Sequence, residues 1–204
     1  MTYRPRRAPG RKFYHASWKT GFLANSVQGS QYAKDHGYGW IDNDHHLTAD
    51  HIWVNAHGAP EKTWGKGKFE SRKWADLAKL RHTYKGKTYR LRTGGQTLAD
   101  NAARKIGTEF EVKDLHPLTF NSTLEPAFVR LARAAAKAYG PKWRDRVVVK
   151  CLSDMSGGEA YALKVLAAAH KAGFTTILLA RGSARYKTFA GFPQVTYVRG
   201  SRRI

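Results

Sequence analysis

Cysteine is all but missing from this chain: Cys151 is the single one in 204 residues. One thiol cannot close an internal disulfide, so a disulfide-stapled scaffold is excluded. Acidic residues are scarce as well, 15 against 36 Lys and Arg, for a formal charge of +21. No stretch approaches the roughly 18 consecutive apolar residues of a transmembrane helix. The basic N-terminus, Met-Thr-Tyr-Arg-Pro-Arg-Arg, has no apolar stretch after it. It does not read as a secretory signal, and the expectation is a cytoplasmic protein, or one that leaves by lysis or rides in a larger particle. What the chain does hold is apolar, 42% hydrophobic and 12% aromatic residues, which is too much for a disordered polycation. The length suits one domain with a real core. The positive charge draws polyanions, whether nucleic acid, an acidic lipid surface or a phosphate-bearing substrate or polymer, and does not choose among them.

Residues 1–12 read as a flexible basic arm, with five Arg or Lys, two Pro and no periodicity. Beyond it, short apolar runs alternate with helical stretches. Strands are expected at 13–17, 40–46, 51–57, 108–115, 146–152, 175–180 and 194–199. Helices are expected at 25–36, 70–80, 96–105, 125–139 and 159–172, with glycines at 37, 140 and 173 closing three of them. Residues 61–92 stand apart as a basic excursion, holding eleven Lys or Arg, three acids, and Trp64, Phe69, Trp74, Tyr84 and Tyr89. Strands alternating with helices argue for a mostly parallel α/β sheet or barrel, and residues 13–204 read as a single domain.

Five of the nine histidines fall within residues 36–57, interleaved with Asp42, Asp44 and Asp50. Asp42 and Asp44 are two apart on a presumed strand and therefore share a face. Such a pair is unfavourable unless it is solvated or a cation or basic group lies between the carboxylates. Their hard oxygens suit Mg²⁺ or Ca²⁺. Glu111 and Lys113 share a face of another strand in the same way, as a structural ion pair or a functional one. His15 and His57 close two strand candidates, and the C-terminal strand ends of a parallel barrel line its active site. Two histidines there suit a general acid and a general base. His45, His46 and His51 read as solvated, with His45 on the face opposite Asp44. Cys151 reads as core packing. The Gly-rich turn at 153–158 is either an ordinary connection or a phosphate cradle.

Taken in order, His15, Ala-Asn-Ser at 24–26, Ile-Asp-Asn-Asp-His-His-Leu-Thr-Ala-Asp at 41–50, Trp-Val-Asn-Ala-His at 53–57 and Glu-Val-Lys at 111–113 resemble the glycerophosphodiester phosphodiesterase family. That family's pattern opens with His-Arg-Gly, continues through Glu-Asn-Thr, Glu-x-Asp, Thr-x-Asp and His-Asp, and later has Glu-x-Lys. The resemblance runs from residue 13 to about 115 and fades in the C-terminal third. It implies a TIM-like (β/α) barrel and a hydrolase of glycerophosphodiesters or a related polyol-phosphate, a chemistry of lipid metabolism. Carried over by position, Asp42, Asp44 and Glu111 would hold one divalent cation, Mg²⁺ or Ca²⁺. His15 and His57 would be the acid–base pair, and Lys113 would neutralise a phosphate oxygen. The partner so implied is an anionic phosphodiester substrate. A compact, strongly basic member of this family would suit a bacteriophage.

The chain departs from the pattern in several places. Ala16 stands for the family's Arg, Ala24 and Asp42 for its glutamates, and Gly58 for the Asp after the second histidine. It also ends soon after residues 195–199, so a barrel that is truncated or open at its C-terminal end is expected. An open edge needs cover, from a second copy of the chain in a homo-oligomer or from the terminal basic segments. The rival expectation is a catalytically degenerate barrel that binds nucleic acid or another polyanion through its charge. Residues 61–92 would then supply phosphate contacts and stacking.

Overall fold

A computed structural model describes residues 6–7, 13–15, 21–57, 63–65, 67–113, 123–155, 158–181 and 192–201. Ala16, Gly58 and part of the 153–158 turn lie outside the described residues. In chain order, β1 (Arg6–Arg7) and β2 (Phe13–His15) precede α1 (Val27–Asp35), β3 (Trp40–Leu47) and β4 (Trp53–Asn55). The excursion contributes α2 (Trp74–Leu77), β5 (His82–Tyr84), β6 (Lys87–Tyr89) and β7 (Arg92–Thr93). Then follow α3 (Gly94–Ala103), β8 (Gly107–Val112), α4 (Leu124–Tyr139), β9 (Val147–Leu152), α5 (Gly158–Lys171), β10 (Thr175–Arg181) and β11 (Tyr197–Ser201).

Strands β2, β3, β8, β9, β10 and β11 lie side by side in that order, all parallel. Helices α1, α3, α4 and α5 fall between successive members of the series. This is the strand–helix succession of a TIM-like barrel. Among the described residues no pairing joins β1 to β2, so the barrel is open there. The N-terminal segment, expected as a flexible arm, supplies a strand: Arg6 and Arg7 pair in parallel with Tyr197 and Val198. The backbone donors and acceptors along the outer edge of β11 account for it, because an unpaired edge recruits any extended segment within reach.

The side-chain alternation of the central strands sets the layers. Phe110 and Val112 of β8 and Val147, Val149 and Cys151 of β9 join the main core with Leu98, Phe128, Leu131, Val165, Leu166 and Leu178. Phe110 and Val112 thus form an apolar face against the helices. The alternate residues, Glu109 and Glu111 on β8 and Lys150 on β9, are buried as well, on the other face of the sheet. The start of β8 is crowded: a Cβ on Gly107 would meet the Trp40 ring at 2.7 Å.

The excursion is more ordered than a loop. The helix expected over 70–80 shrinks to one α-turn behind a 3-10 turn at Phe69–Ser71. Arg72 is extended (φ −122°, ψ 143°), which interrupts the run. The Asp50 carboxylate accepts from the Trp74 N–H at 2.9 Å and from the Thr48 hydroxyl at 2.6 Å, tying α2 to the turn after β3. Strands β5 and β6 form a hairpin around Lys85-Gly86, both in the left-handed region that such a two-residue turn requires. Val54, Trp64, Phe69, Leu77, Tyr89 and Leu91 make a second small core beneath these elements. Strand β4 pairs antiparallel with β3 and with β7, so residues 53–55 return along β3 instead of adding a parallel strand.

Candidate active site

The register of the parallel strands sets Asp44, Glu111 and Lys150 side by side, one each from β3, β8 and β9. Asp42 lies two residues earlier on the face of Asp44, opposite Glu109. Asp42, Asp44, Glu111 and Lys150 are each at most 3% exposed. The Lys150 ammonium donates to Asp42 Oδ2 at 2.5 Å and also to Glu111 Oε2. Lys113, just past β8, reaches Asp44 Oδ1 at 2.9 Å and Glu111 Oε1. The result is an alternating chain, Asp42–Lys150–Glu111–Lys113–Asp44. Each of the paired aspartates is thus met by a lysine, Asp42 by Lys150 and Asp44 by Lys113, and neither lies on a solvated edge.

Lys150 is the residue that sequence reasoning passed over. Its signal was a lysine inside the β-branched run Val147–Leu152. A lysine is almost never fully buried unless it is paired, so its place in a core strand required acidic neighbours. Removing one partner of such a buried pair costs about 3–5 kcal/mol.

An asparagine network fixes the aspartates. Asn25 has φ 63°, a left-handed conformation at which Asn is one of the tolerated residues. It stands just before Ser26, whose hydroxyl caps α1 by accepting from the Gly29 N–H at 3.2 Å. From there the Asn25 amide donates to Asp44 Oδ2 at 2.8 Å and accepts from the Asp44 N–H at 2.9 Å. Asn55 of β4 donates to the Asp44 carbonyl at 2.9 Å. Asn101 of α3 donates to Asn43 Oδ1 and Thr108 Oγ1, each at 2.9 Å. Asn101 carried no sequence signal beyond its residue type, and Asn55 none beyond its place in the 53–57 motif.

The two candidate histidines come from strands on one edge of β3. Along that edge β2 places His15 opposite Asp42, and β4 places Asn55 opposite His45, with the Ala56 N–H donating to the Asp44 carbonyl. His57 follows directly. The antiparallel return of β4 thus brings the backbone of His57 back toward the level where β2 ends at His15. His57 lines a pocket of about 260 Å³ with Phe22, Leu23, Ala24, Thr63, Trp64, His82 and Tyr84. The excursion therefore helps wall the space beside His57.

His45 and His46, expected to be solvated, are buried. His45 lies on the face away from Asp44 and stacks on Phe110, ring centroids 3.5 Å apart. Burial holds its pKa well below the ordinary histidine value, so it is a neutral packing group. His46 is covered by Phe69 at 4.8 Å, with Nδ1 3.9 Å from a Glu70 oxygen. Cys151 is buried core, and burial pushes its thiol pKa up, away from nucleophilic use.

Electrostatics in the carboxylate–lysine chain favours the charged forms. Burial alone would raise the pKa of Glu111, but the ammoniums of Lys150 and Lys113 outweigh it and hold the group at about 2. Burial would likewise lower Lys113 and Lys150; Asp44 and Glu111 raise the one, and Asp42 and Glu111 the other, above the ordinary lysine value. Three clustered carboxylates are the donor chemistry of a hard divalent cation. Here both Glu111 oxygens and one oxygen each of Asp42 and Asp44 are held by ammonium groups. Among the described residues no set of three His, Cys, Asp or Glu side chains stands ready to hold a metal. With both lysines in place, the donor set does not fit a divalent ion.

No protein-family model matches the chain, and no curated protein does. Solved structures do. A protein assigned as a glycerophosphoryl diester phosphodiesterase from Silicibacter pomeroyi superposes with a TM-score of 0.63 at 16% identity, over 88% of this chain and 67% of its own. A glycerophosphodiester phosphodiesterase from Parabacteroides distasonis gives 0.58 at 20% identity, over 89% and 76%. A phosphodiesterase from Oleispira antarctica, solved with its product sn-glycerol-3-phosphate, gives 0.59 at 16% identity, over 91% and 70%. The chain has the fold of these glycerophosphodiester phosphodiesterases, with the barrel left open. Among the described residues no helix is long and apolar enough to cross a membrane.

Proposed function

We propose that the chain is a phosphodiester hydrolase acting on a glycerophosphodiester or a related polyol-phosphate. The observation that carries this reading is the Asp42–Lys150–Glu111–Lys113–Asp44 chain, built on adjacent parallel strands of that fold. Lys113 is the more accessible lysine, at 19% side-chain exposure against 3% for Lys150. In this reading its ammonium meets the phosphoryl oxygens, where charge gathers in the transition state. Asp44 and Glu111 hold it there. His15 and His57 exchange the protons: one takes a proton from the attacking water as its oxygen bonds to phosphorus, the other protonates the leaving alkoxide as its P–O bond breaks. The space beside His57 receives the departing alcohol. The Oleispira protein was solved with sn-glycerol-3-phosphate as its product, which supports a glycerophosphodiester as the substrate class.

Hydrolysis of bis(p-nitrophenyl) phosphate and of a glycerophosphodiester, beside His57→Ala and Asp44→Asn, tests the reading. Turnover that falls about a hundredfold or more in His57→Ala is expected. Equal turnover in the wild type and both variants would overturn it.

A further inference from the structure

We propose that the cation of this site is built into the chain: the ammonium of Lys150, joined by that of Lys113, fills the space between Asp42, Asp44 and Glu111 that a divalent metal would need. The site then receives its phosphodiester without a metal ion. The inference rests on the reading above for its catalytic part, while the claim about what lies between the carboxylates stands on geometry alone.

Lys150 is the deciding residue. It projects from the middle of a core strand whose neighbours Val148, Val149 and Cys151 are fully apolar and buried. From β9 it bonds Glu111 on the adjacent strand and reaches across β8 to Asp42 on β3. Glu111 is divided between the two lysines, Oε2 to Lys150 and Oε1 to Lys113. A metal ion ligated by the same carboxylates would sit at about 2.0–2.6 Å from their oxygens. It would have to share them with ammonium groups already at hydrogen-bond distance, and close cations with little water between them repel strongly.

A fixed lysine supplies part of what a metal would: permanent positive charge at the phosphoryl end of the site, with no ion to recruit. It does not lower the pKa of a bound water in the way a metal does, so proton transfer falls wholly to the side chains. Lys150 is too enclosed to touch substrate. It is a positioning residue that neutralises Asp42 and one side of Glu111, which leaves Lys113 held by Asp44 and the other side of Glu111.

Calorimetric titration of the full chain with Mg²⁺, Ca²⁺ and Mn²⁺ separately tests this directly. No saturable binding at millimolar metal is expected for the wild type. In Lys150→Met the carboxylates lose their cation, and one divalent ion should bind and raise the melting temperature. A wild type that binds one ion at micromolar affinity, lost in Asp44→Asn, would overturn the proposal whether or not Lys150→Met folds. Hydrolysis measured with chelator gives the second arm. Turnover that survives chelation supports the built-in cation, and turnover abolished by chelator and restored by metal overturns it. Absence of turnover under every condition would count against the hydrolase reading, while the calorimetry still decides the cation.

Discussion

Asn25 holds Asp44 at two points. Its amide nitrogen donates to Oδ2 at 2.8 Å, and its amide oxygen accepts the Asp44 backbone N–H at 2.9 Å. One side chain thus fixes both the carboxylate and the strand that carries it, and that carboxylate in turn positions Lys113.

Removing this grip should affect chemistry more than folding. Asn25→Gly keeps the φ of 63° accessible without strain, whereas Asn25→Ala must adopt it at a cost of about 1 kcal/mol. Both variants should lose hydrolysis by about 10–100-fold, the usual effect of losing a partner that orients a site residue. Melting curves should place Asn25→Ala below Asn25→Gly. Full activity in Asn25→Gly would show that the grip is dispensable.

The carboxylate–lysine chain also sets a pH window. Glu111 is held at about 2 in the folded state against an ordinary value of 4.5. Its contribution to stability is therefore complete above about pH 5 and lost as the pH falls through 4.5 toward 2. Lys113 is shifted the other way, so its contribution is complete below its ordinary 10.5 and is lost only as the pH rises beyond that. Urea unfolding of the wild type and Glu111→Gln should show a stability difference that is constant between about pH 5 and 10 and shrinks in acid. A difference unchanged down to about pH 3 would contradict the assigned ion pairs.

At the opposite end of β8 from Lys113, Gly107→Ala should disturb packing alone. The added methyl meets the Trp40 ring at 2.7 Å, and overpacking of this kind costs about 1–3 kcal/mol. The variant should melt earlier with kcat unchanged. A melting temperature equal to the wild type would mean that Trp40 moves aside freely.

Much of this architecture was legible because strand and helix periods are local. The alternation around Asp42 and Asp44, and again around Glu111 and Lys113, placed these four residues on common faces before any fold was known. The helices expected at 125–139 and 159–172 likewise form, at Leu124–Tyr139 and Gly158–Lys171. The misreadings share a different cause. His45 and His46 read as solvated in the sequence because polar residues usually are, yet they are buried, against Phe110 and Phe69, which lie far away in sequence. The hairpin β5–β6 lies in a lysine-rich stretch where the Lys85-Gly86 turn is its one local signal.

Residue type, order and period by themselves determined the parallel α/β series, the acid pair, the Glu-x-Lys pair and the histidines that close β2 and follow β4. Which cation stands between the acids was decided elsewhere. Asp42 and Lys150 are separated by 108 positions in the chain, and only the lateral register of β3, β8 and β9 brings them together. A carboxylate pair in a sequence calls for positive charge without naming its source, because Coulomb attraction depends on distance in space. The folded sheet makes that distance short for a lysine of the same chain.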